Sequence, residues 1–132
     1  MTQLEWAKNN KLTPLMRKIC REEGLRPEKL LRYIKEGRIV LLKNKLHNIS
    51  QPCAVGFSLR TKVNSNLGTS TDKSRIKDEL KKLVVSIKYG ADTVMDLSVG
   101  GNLKAVRKEI LKCSTLPVGT VPVYSTWFLI YL

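Results

Sequence analysis

Three residues suited to ligand contact recur at a constant spacing along the second half of the chain. Asn66, Met95 and Tyr124 are 29 residues apart, and each is predicted to stand at or just past the end of a short strand. That interval is close to one strand–helix unit of a (β/α)8 barrel, in which about 250 residues form eight units. Because the carboxyl ends of successive barrel strands converge on one face, the spacing predicts that these three side chains line one pocket.

Residue types for metal or nucleophilic chemistry are sparse. His47 is the single histidine, whereas a zinc site needs several ligands. Cys20, Cys53 and Cys113 are 33 and 60 residues apart and form no Cys-x-x-Cys pair, so the sequence predicts no metal site and no catalytic residue. We expect Cys20 and Cys113 to be small core residues on helix faces.

Two turns and one aspartate are further candidates. The segments 68–71 and 98–102 precede helices, where free backbone amides can hold a phosphate. Neither segment matches a P-loop or a dinucleotide fingerprint, so ordinary turns are favoured. Asp96 is suited either to acid–base chemistry or to binding backbone amides of the next turn, and the second role is favoured.

The charge is strongly basic, with 24 Lys+Arg, 11 Asp+Glu and a net charge of +13. Such an excess favours nucleic acid, anionic lipid or phosphorylated small molecules as partners without selecting one. The basic residues are spread out and no aromatic platform accompanies them, so no specific nucleic acid binding is expected. No apolar run approaches the roughly 20 residues that cross a bilayer, and no signal peptide is recognised. With reduced cysteines, a cytoplasmic protein without membrane association is expected.

The pattern of elements changes near residue 56. Residues 1–56 are predicted to form a helical and mixed amino-terminal region, because helix caps, prolines and glycines punctuate short apolar repeats there. Its predicted elements are a helix from Thr13-Pro14 to Gly24, a helix opened by Pro27, a strand at 39–42 and a loop at 43–56.

Residues 57–124 alternate strand, helix, strand, helix and strand, which predicts a parallel sheet with right-handed crossovers. The fold class is therefore α/β: the amino-terminal region followed by the first three strand–helix units of an incomplete (β/α)8 barrel. The strands are predicted at about 58–65, 92–95 and 120–124. Ser70 or Thr71 is expected to cap the first helix, whose apolar stripe is Ile76, Leu80, Leu83, Val84 and Ile87. A divergent apolar tail occupies 125–132.

Four segments resemble one known family in order and at the correct spacing. They are TQLEWAK at 2–8, LRTKVNSNLGTS at 59–70, KYGADTVMDLS at 88–98 and PVGTVPVY at 117–124. The resemblance is to the phosphomethylpyrimidine synthase family, the radical S-adenosylmethionine enzymes of thiamine biosynthesis. It extends over residues 2–124 and is weakest between 38 and 57.

This resemblance implies a (β/α)8 barrel lyase that converts aminoimidazole ribonucleotide into hydroxymethylpyrimidine phosphate. It also implies a 4Fe-4S cluster that cleaves S-adenosylmethionine, and a zinc ion. In the matching Asn-x-Asn, Val-Met-Asp and Val-Pro-x-Tyr motifs, the substrate-binding positions correspond to Asn66, Met95 and Tyr124.

After Tyr124 the sequence departs from the family pattern. The remaining barrel strands, the Ser-Arg-Gly-Gly phosphate motif, the zinc histidines and the three-cysteine cluster motif do not occur in these 132 residues. We therefore expect a truncated family member that is inactive alone, and that self-associates or pairs with a complementing barrel half. The alternative is a basic half-barrel that binds a phosphorylated ligand or nucleic acid.

Overall fold

The structure is a computed structural model that describes residues 1–43, 49–124 and 126. His47 and the apolar run 127–132 therefore lie outside the described residues. The chain divides into two compact units: the first comprises Met1–Lys43 and Pro52–Thr61, and the main part of the second begins at Lys62. No helix among the described residues is long and apolar enough to cross a membrane.

Three helices and a two-stranded hairpin form the first unit. They are α1 (Gln3–Lys8), α2 (Pro14–Glu23), α3 (Pro27–Lys35), β1 (Ile39–Leu42) and β2 (Cys53–Gly56). The predicted bounds of α2 are confirmed, because the Thr13 hydroxyl accepts the amide hydrogen of Met16 and Gly24 ends the helix at φ +61°. The core comprises Ala7, Met16, Ile19, Cys20, Leu30, Leu31, Tyr33, Ile34, Ile39 and Ala54.

The strand β2 corrects the predicted loop at 43–56. β2 pairs antiparallel with β1, with Ile39 opposite Gly56 and Leu42 opposite Cys53. A side chain at Gly56 would collide with the carbonyl oxygen of Arg38, so the glycine permits this close approach of the two chains. β2 is only four residues long, and its composition does not identify it as a strand. It forms a strand because it pairs with β1.

The second unit contains a three-stranded parallel sheet with two helices. Its elements are β3 (Asn64–Leu67), α4 (Ile76–Lys88), β4 (Thr93–Asp96), α5 (Leu103–Cys113) and β5 (Val118–Thr120), and the strand order is β3-β4-β5. The predicted alternation of strands and helices and the parallel sheet are confirmed. Residues of both helices join one apolar cluster on a single face of the sheet: Leu67, Leu83, Ala91, Val94, Val106, Ile110 and Leu116.

The outer two predicted strands were misplaced. The first strand is Asn64–Leu67 instead of 58–65, and the third is Val118–Thr120 instead of 120–124. Residues 122–124 are helical. Pro122 explains the second correction, because proline has no backbone donor for a strand ladder and is well suited to the first turn of a helix.

Two predictions about α4 were also wrong. The helix begins at Ile76 after Arg75, and the Ser70 hydroxyl instead accepts the amide hydrogen of Lys73 within the preceding turn. Val84 is 64% exposed, whereas Leu83 is buried. Adjacent helical residues are about 100° apart around the axis, so Val84 lies at the margin of the stripe that is centred on Leu83.

The three cysteines differ in their surroundings. Cys20 and Cys53 are buried, and Cys20 confirms its predicted place in the core. Cys113 is exposed at the last residue of α5, which corrects the prediction that it is a core residue. Burial raises the pKa of the Cys20 thiol, and the Glu28 carboxylate raises it further, so the reactive thiolate form is depleted at neutral pH.

We predict that a thiol reagent such as 5,5′-dithiobis(2-nitrobenzoate) labels the native chain in one fast phase, which belongs to Cys113. Cys20 and Cys53 should react only slowly, because burial excludes the reagent. Replacement Cys113→Ser should remove the fast phase, and Cys20→Ser should leave it intact. A fast phase that persists in Cys113→Ser would contradict the assignment.

Candidate functional site

The candidate site is the face of the parallel sheet that is turned away from α4 and α5. Val94 and Asp96 of β4 are buried at 0% and 3% exposure. Since alternate residues of a strand point to opposite faces, Met95 lies on the other face. Its register partners are Asn66 on β3 and Gly119 on β5, so these three positions form a row across the sheet.

A chain of hydrogen bonds links the polar side chains on this face. The Thr93 hydroxyl donates to Oδ1 of Asn64 at 2.8 Å, and Nδ2 of Asn64 donates to Oδ1 of Asn66 at 3.1 Å. Within the described residues, Nδ2 of Asn66 has no hydrogen-bond acceptor. Asn66 therefore presents an N–H donor to whatever occupies this face.

Asn64 is a site residue that the sequence analysis missed. It is the first residue of the Asn-x-Asn motif and shares its strand face with Asn66. The two-residue spacing was the signal that could have identified it, because residues i and i+2 of a strand lie on one face.

A buried carboxylate fixes the turn that follows β3. Glu79 of α4 is 3% exposed, and its Oε2 accepts the amide hydrogen of Gly68 at 2.7 Å. Its Oε1 accepts a hydrogen bond from the Lys82 ammonium group, also at 2.7 Å. Glu79 was not identified from the sequence, although it stands at the i−4 position of Leu83 on the buried side of the helix.

The two turns at the carboxyl ends of β3 and β4 are bonded to each other through Thr69. Its hydroxyl donates to the Gly100 carbonyl oxygen at 2.6 Å, and its amide donates to the Ser98 hydroxyl at 3.2 Å. The amide of Val99 donates in turn to the Thr69 carbonyl oxygen at 2.9 Å. A side chain at Gly100 would collide with the Ser70 carbonyl oxygen, so the turns lie in close contact.

This contact bears on the phosphate-binding interpretation of the turns at 68–71 and 98–102. The amides of Gly68, Thr69 and Val99 are all donated within the protein. At the start of α5, Asn102 Oδ1 accepts the amide hydrogen of Ala105 at 3.0 Å. The geometry matches the favoured interpretation, in which both segments are ordinary strand-to-helix turns with a cap.

Asp96 has the structural role that the sequence analysis favoured. Its Oδ1 accepts the amide hydrogen of Ser98 at 3.0 Å, in the turn that directly follows β4. Its Oδ2 lies 3.6 Å from Nε of Arg107 on α5, and the carboxylate is buried. The side chain thus points to the helix side of the sheet, away from Asn66 and Met95.

The structure brings Asn66 and Met95 together and places Tyr124 apart from their strands. Tyr124 follows the end of β5 by four residues and belongs to the helical segment that starts at Pro122. Its amide donates to the Val121 carbonyl oxygen at 3.2 Å, and the residue is 39% exposed. Among the described residues, no hydrogen bond joins its hydroxyl group to Asn66 or Met95.

The described residues lack a group of side chains that suits a metal ion. Across residues 1–43, 49–124 and 126, no group of three or more His, Cys, Asp or Glu residues could hold a metal ion. These residues therefore do not fit an iron–sulfur cluster or a zinc site. On the helix-free face of the sheet, Asn66 presents a directed N–H donor and Met95 a polarisable thioether beside it.

We predict that Glu79→Ala lowers the free energy of unfolding by about 1–3 kcal/mol, because it leaves the partly buried Gly68 amide without its acceptor. The matched control is Asp78→Ala on the same helix, whose carboxylate is about half exposed and pairs with Arg75 and Lys81 among the described residues. That control should cost less than about 1 kcal/mol. Urea unfolding measures both, and equal losses would contradict the role of Glu79.

Comparison with known proteins assigns the family. The sequence profile described as Radical SAM ThiC family matches residues 2–130. Phosphomethylpyrimidine synthase of Thermodesulfovibrio yellowstonii is 51% identical over 124 residues, which cover 94% of this chain and 29% of that protein. The enzyme of the same name from Pyrococcus abyssi is 46% identical over the same shares of the two chains.

The phosphomethylpyrimidine synthase of Thermus thermophilus is 47% identical over 129 residues, 97% of this chain and 30% of that protein. The chain thus spans about three tenths of the length of the curated relatives it matches. The profile match and the sheet-face residues of the Asn-x-Asn and Val-Met-Asp motifs lead to one conclusion: this chain belongs to the Radical SAM ThiC family.

Proposed function

We propose that this chain carries part of the substrate-binding face of a phosphomethylpyrimidine synthase, which acts on aminoimidazole ribonucleotide in thiamine biosynthesis. The observation that carries the proposal is the register pair Asn66 and Met95 on the helix-free face of the sheet. Both belong to motifs that resemble the family's substrate-binding motifs.

The three strands β3, β4 and β5 are proposed to be the first three strands of a (β/α)8 barrel. Two observations support this: the strands are parallel and consecutive, and both helices cover the same face of the sheet. In a barrel of this type the helices lie outside and the opposite face of the sheet points inward. Asn66 and Met95 would then face the barrel interior near the carboxyl ends of their strands.

Each proposed contact has a clear chemical role. Nδ2 of Asn66 donates a hydrogen bond to an acceptor of the ligand, such as an imidazole nitrogen or a ribose oxygen. The thioether of Met95 packs on the flat face of the imidazole ring. Tyr124 contributes its phenol hydroxyl as a further directional group, from the segment after β5.

The radical chemistry is supplied by S-adenosylmethionine and a 4Fe-4S cluster in this family. The described residues offer no metal-binding group, so their proposed part is to bind and orient the substrate. A cytoplasmic location is proposed with this role. The alternative, a basic half-barrel that binds a phosphorylated ligand or nucleic acid, rests on the net charge of +13 alone.

The sheet edges point to a macromolecular partner. Within the described residues, β3 and β5 each pair only with β4, so one edge of each strand has no neighbouring strand. Open edges pair readily with further strands. We propose that these edges receive the remaining strands of a barrel or, in the isolated chain, the edge of a second copy.

The first test concerns substrate binding. We predict that Asn66→Ala and Met95→Ala each weaken binding of aminoimidazole ribonucleotide by roughly tenfold, the effect of losing about 1.4 kcal/mol of contact free energy. Isothermal titration calorimetry measures this. The control Val85→Ala alters an exposed residue of α4 and should bind normally. Absence of binding by the unmodified chain, or equal binding by all variants, would contradict the proposal.

The second test concerns the edge of β5. We predict that the chain self-associates and does so more strongly as salt screens its net charge of +13. The amide of Val94 donates to the Pro117 carbonyl oxygen, so in the parallel ladder Pro117 and Gly119 turn their backbone polar groups toward β4 and the amide of Thr120 points away from it. Thr120→Pro should therefore reduce association, and the matched control Thr120→Ser should not. Sedimentation velocity decides, and a monomer at all salt concentrations would contradict the proposal.

A further inference from the structure

We propose that Gly119 is a positioning residue: its missing side chain provides the space in which the thioether of Met95 lies within the substrate-binding face. The inference rests on the proposed function, because Met95 is taken there as a substrate contact. Gly119 itself contacts Met95 rather than the substrate.

The space beside the Cα atom of Gly119 is occupied by a single side chain, that of Met95. Gly119 and Met95 are register partners on β5 and β4. A Cβ atom built on Gly119 would lie 2.9 Å from Sδ and 2.9 Å from Cε of Met95. The next nearest atom is the Val94 carbonyl oxygen, at an ordinary 3.9 Å. The Met95 side chain thus extends toward β5 and occupies the volume that any other residue at 119 would fill.

The backbone gives no other reason for glycine at this position. Six glycines of the described chain have positive φ angles that favour glycine, and Gly119 is not among them. Glycine inside a strand is unfavourable, because it loses conformational entropy and packs no side chain. The close contact with Met95 is therefore the feature that accounts for a glycine in the middle of β5.

A larger residue at 119 would act on the site and leave the fold intact. The atoms it meets are the flexible end of a methionine side chain, which moves at low cost. The displaced thioether would turn outward from the sheet or toward Asn66, the register partner on the other side. Either movement changes the surface against which a ligand ring packs.

The decisive experiment follows the Met95 methyl group directly. The chain contains three methionines, so a sample with 13C-labelled methionine methyl groups gives three resonances, and Met95→Leu assigns one of them. We expect Gly119→Ala to shift the Met95 resonance and to leave those of Met1 and Met16 in place. The midpoint of thermal unfolding should stay unchanged or rise, since alanine restricts the unfolded chain more than glycine does.

A control variant separates this effect from a general change in β5. Thr120→Ala alters the next residue, whose side chain points to the opposite face of the sheet, and should leave the Met95 resonance unchanged. An unshifted Met95 resonance in Gly119→Ala would overturn the inference. So would an equal shift in both variants.

Ligand binding supplies a second readout that a purely structural role would not move. Gly119→Ala should weaken binding of aminoimidazole ribonucleotide by roughly tenfold, and it should have no further effect in a Met95→Ala background. Additive losses would overturn the inference. If the unmodified chain binds no aminoimidazole ribonucleotide, the proposed function fails, while the methyl resonance still decides whether Gly119 positions Met95.

Discussion

The register of β4 between β3 and β5 is the constraint on which the site depends. It aligns Asn66, Met95 and Gly119 in one row and sends Val94 to the apolar side. Strand side chains alternate between faces, so a shift of one residue would bury Met95 and expose Val94. The apolar contacts of α4 and α5 with this sheet therefore stabilise the opposite, helix-free face, although neither helix contributes a side chain to it.

Two buried carboxylates on the helix-covered face of the sheet bind the turns that follow β3 and β4. Glu79 binds the Gly68 amide after β3, and Asp96 binds the Ser98 amide after β4. A buried carboxylate is costly unless it is hydrogen-bonded or paired, and each of these lies near a basic side chain, Lys82 or Arg107. The outcome is a defined conformation for the two turns that border the site.

On the helix-free face, neighbouring polar side chains orient one another. The Thr93 hydroxyl donates to Oδ1 of Asn64, and Nδ2 of Asn64 donates to Oδ1 of Asn66. This leaves the N–H group of Asn66 to point outward, so its neighbours set the direction of the donor. Gly119 sets the position of the thioether in a comparable way, by leaving space. Asn66 and Met95 match positions that contact substrate in the family motifs. Their orientation depends on three residues to which those motifs assign no such contact: Thr93, Asn64 and Gly119.

The sequence by itself determined α2 and the alternation of strands and helices in the second unit, and it nominated Asn66 and Met95. Thr13, Pro14 and Gly24 define α2 through contacts with their immediate neighbours, and the 29-residue spacing followed from consecutive strand–helix units. Only the tertiary structure decided the features that depend on residues distant in sequence. β2 exists because β1 pairs with it, Glu79 is buried because the turn after β3 needs an acceptor, and Met95 extends over a residue 24 positions later in the chain. Such pairings join residues far apart in sequence, and no local pattern specifies them.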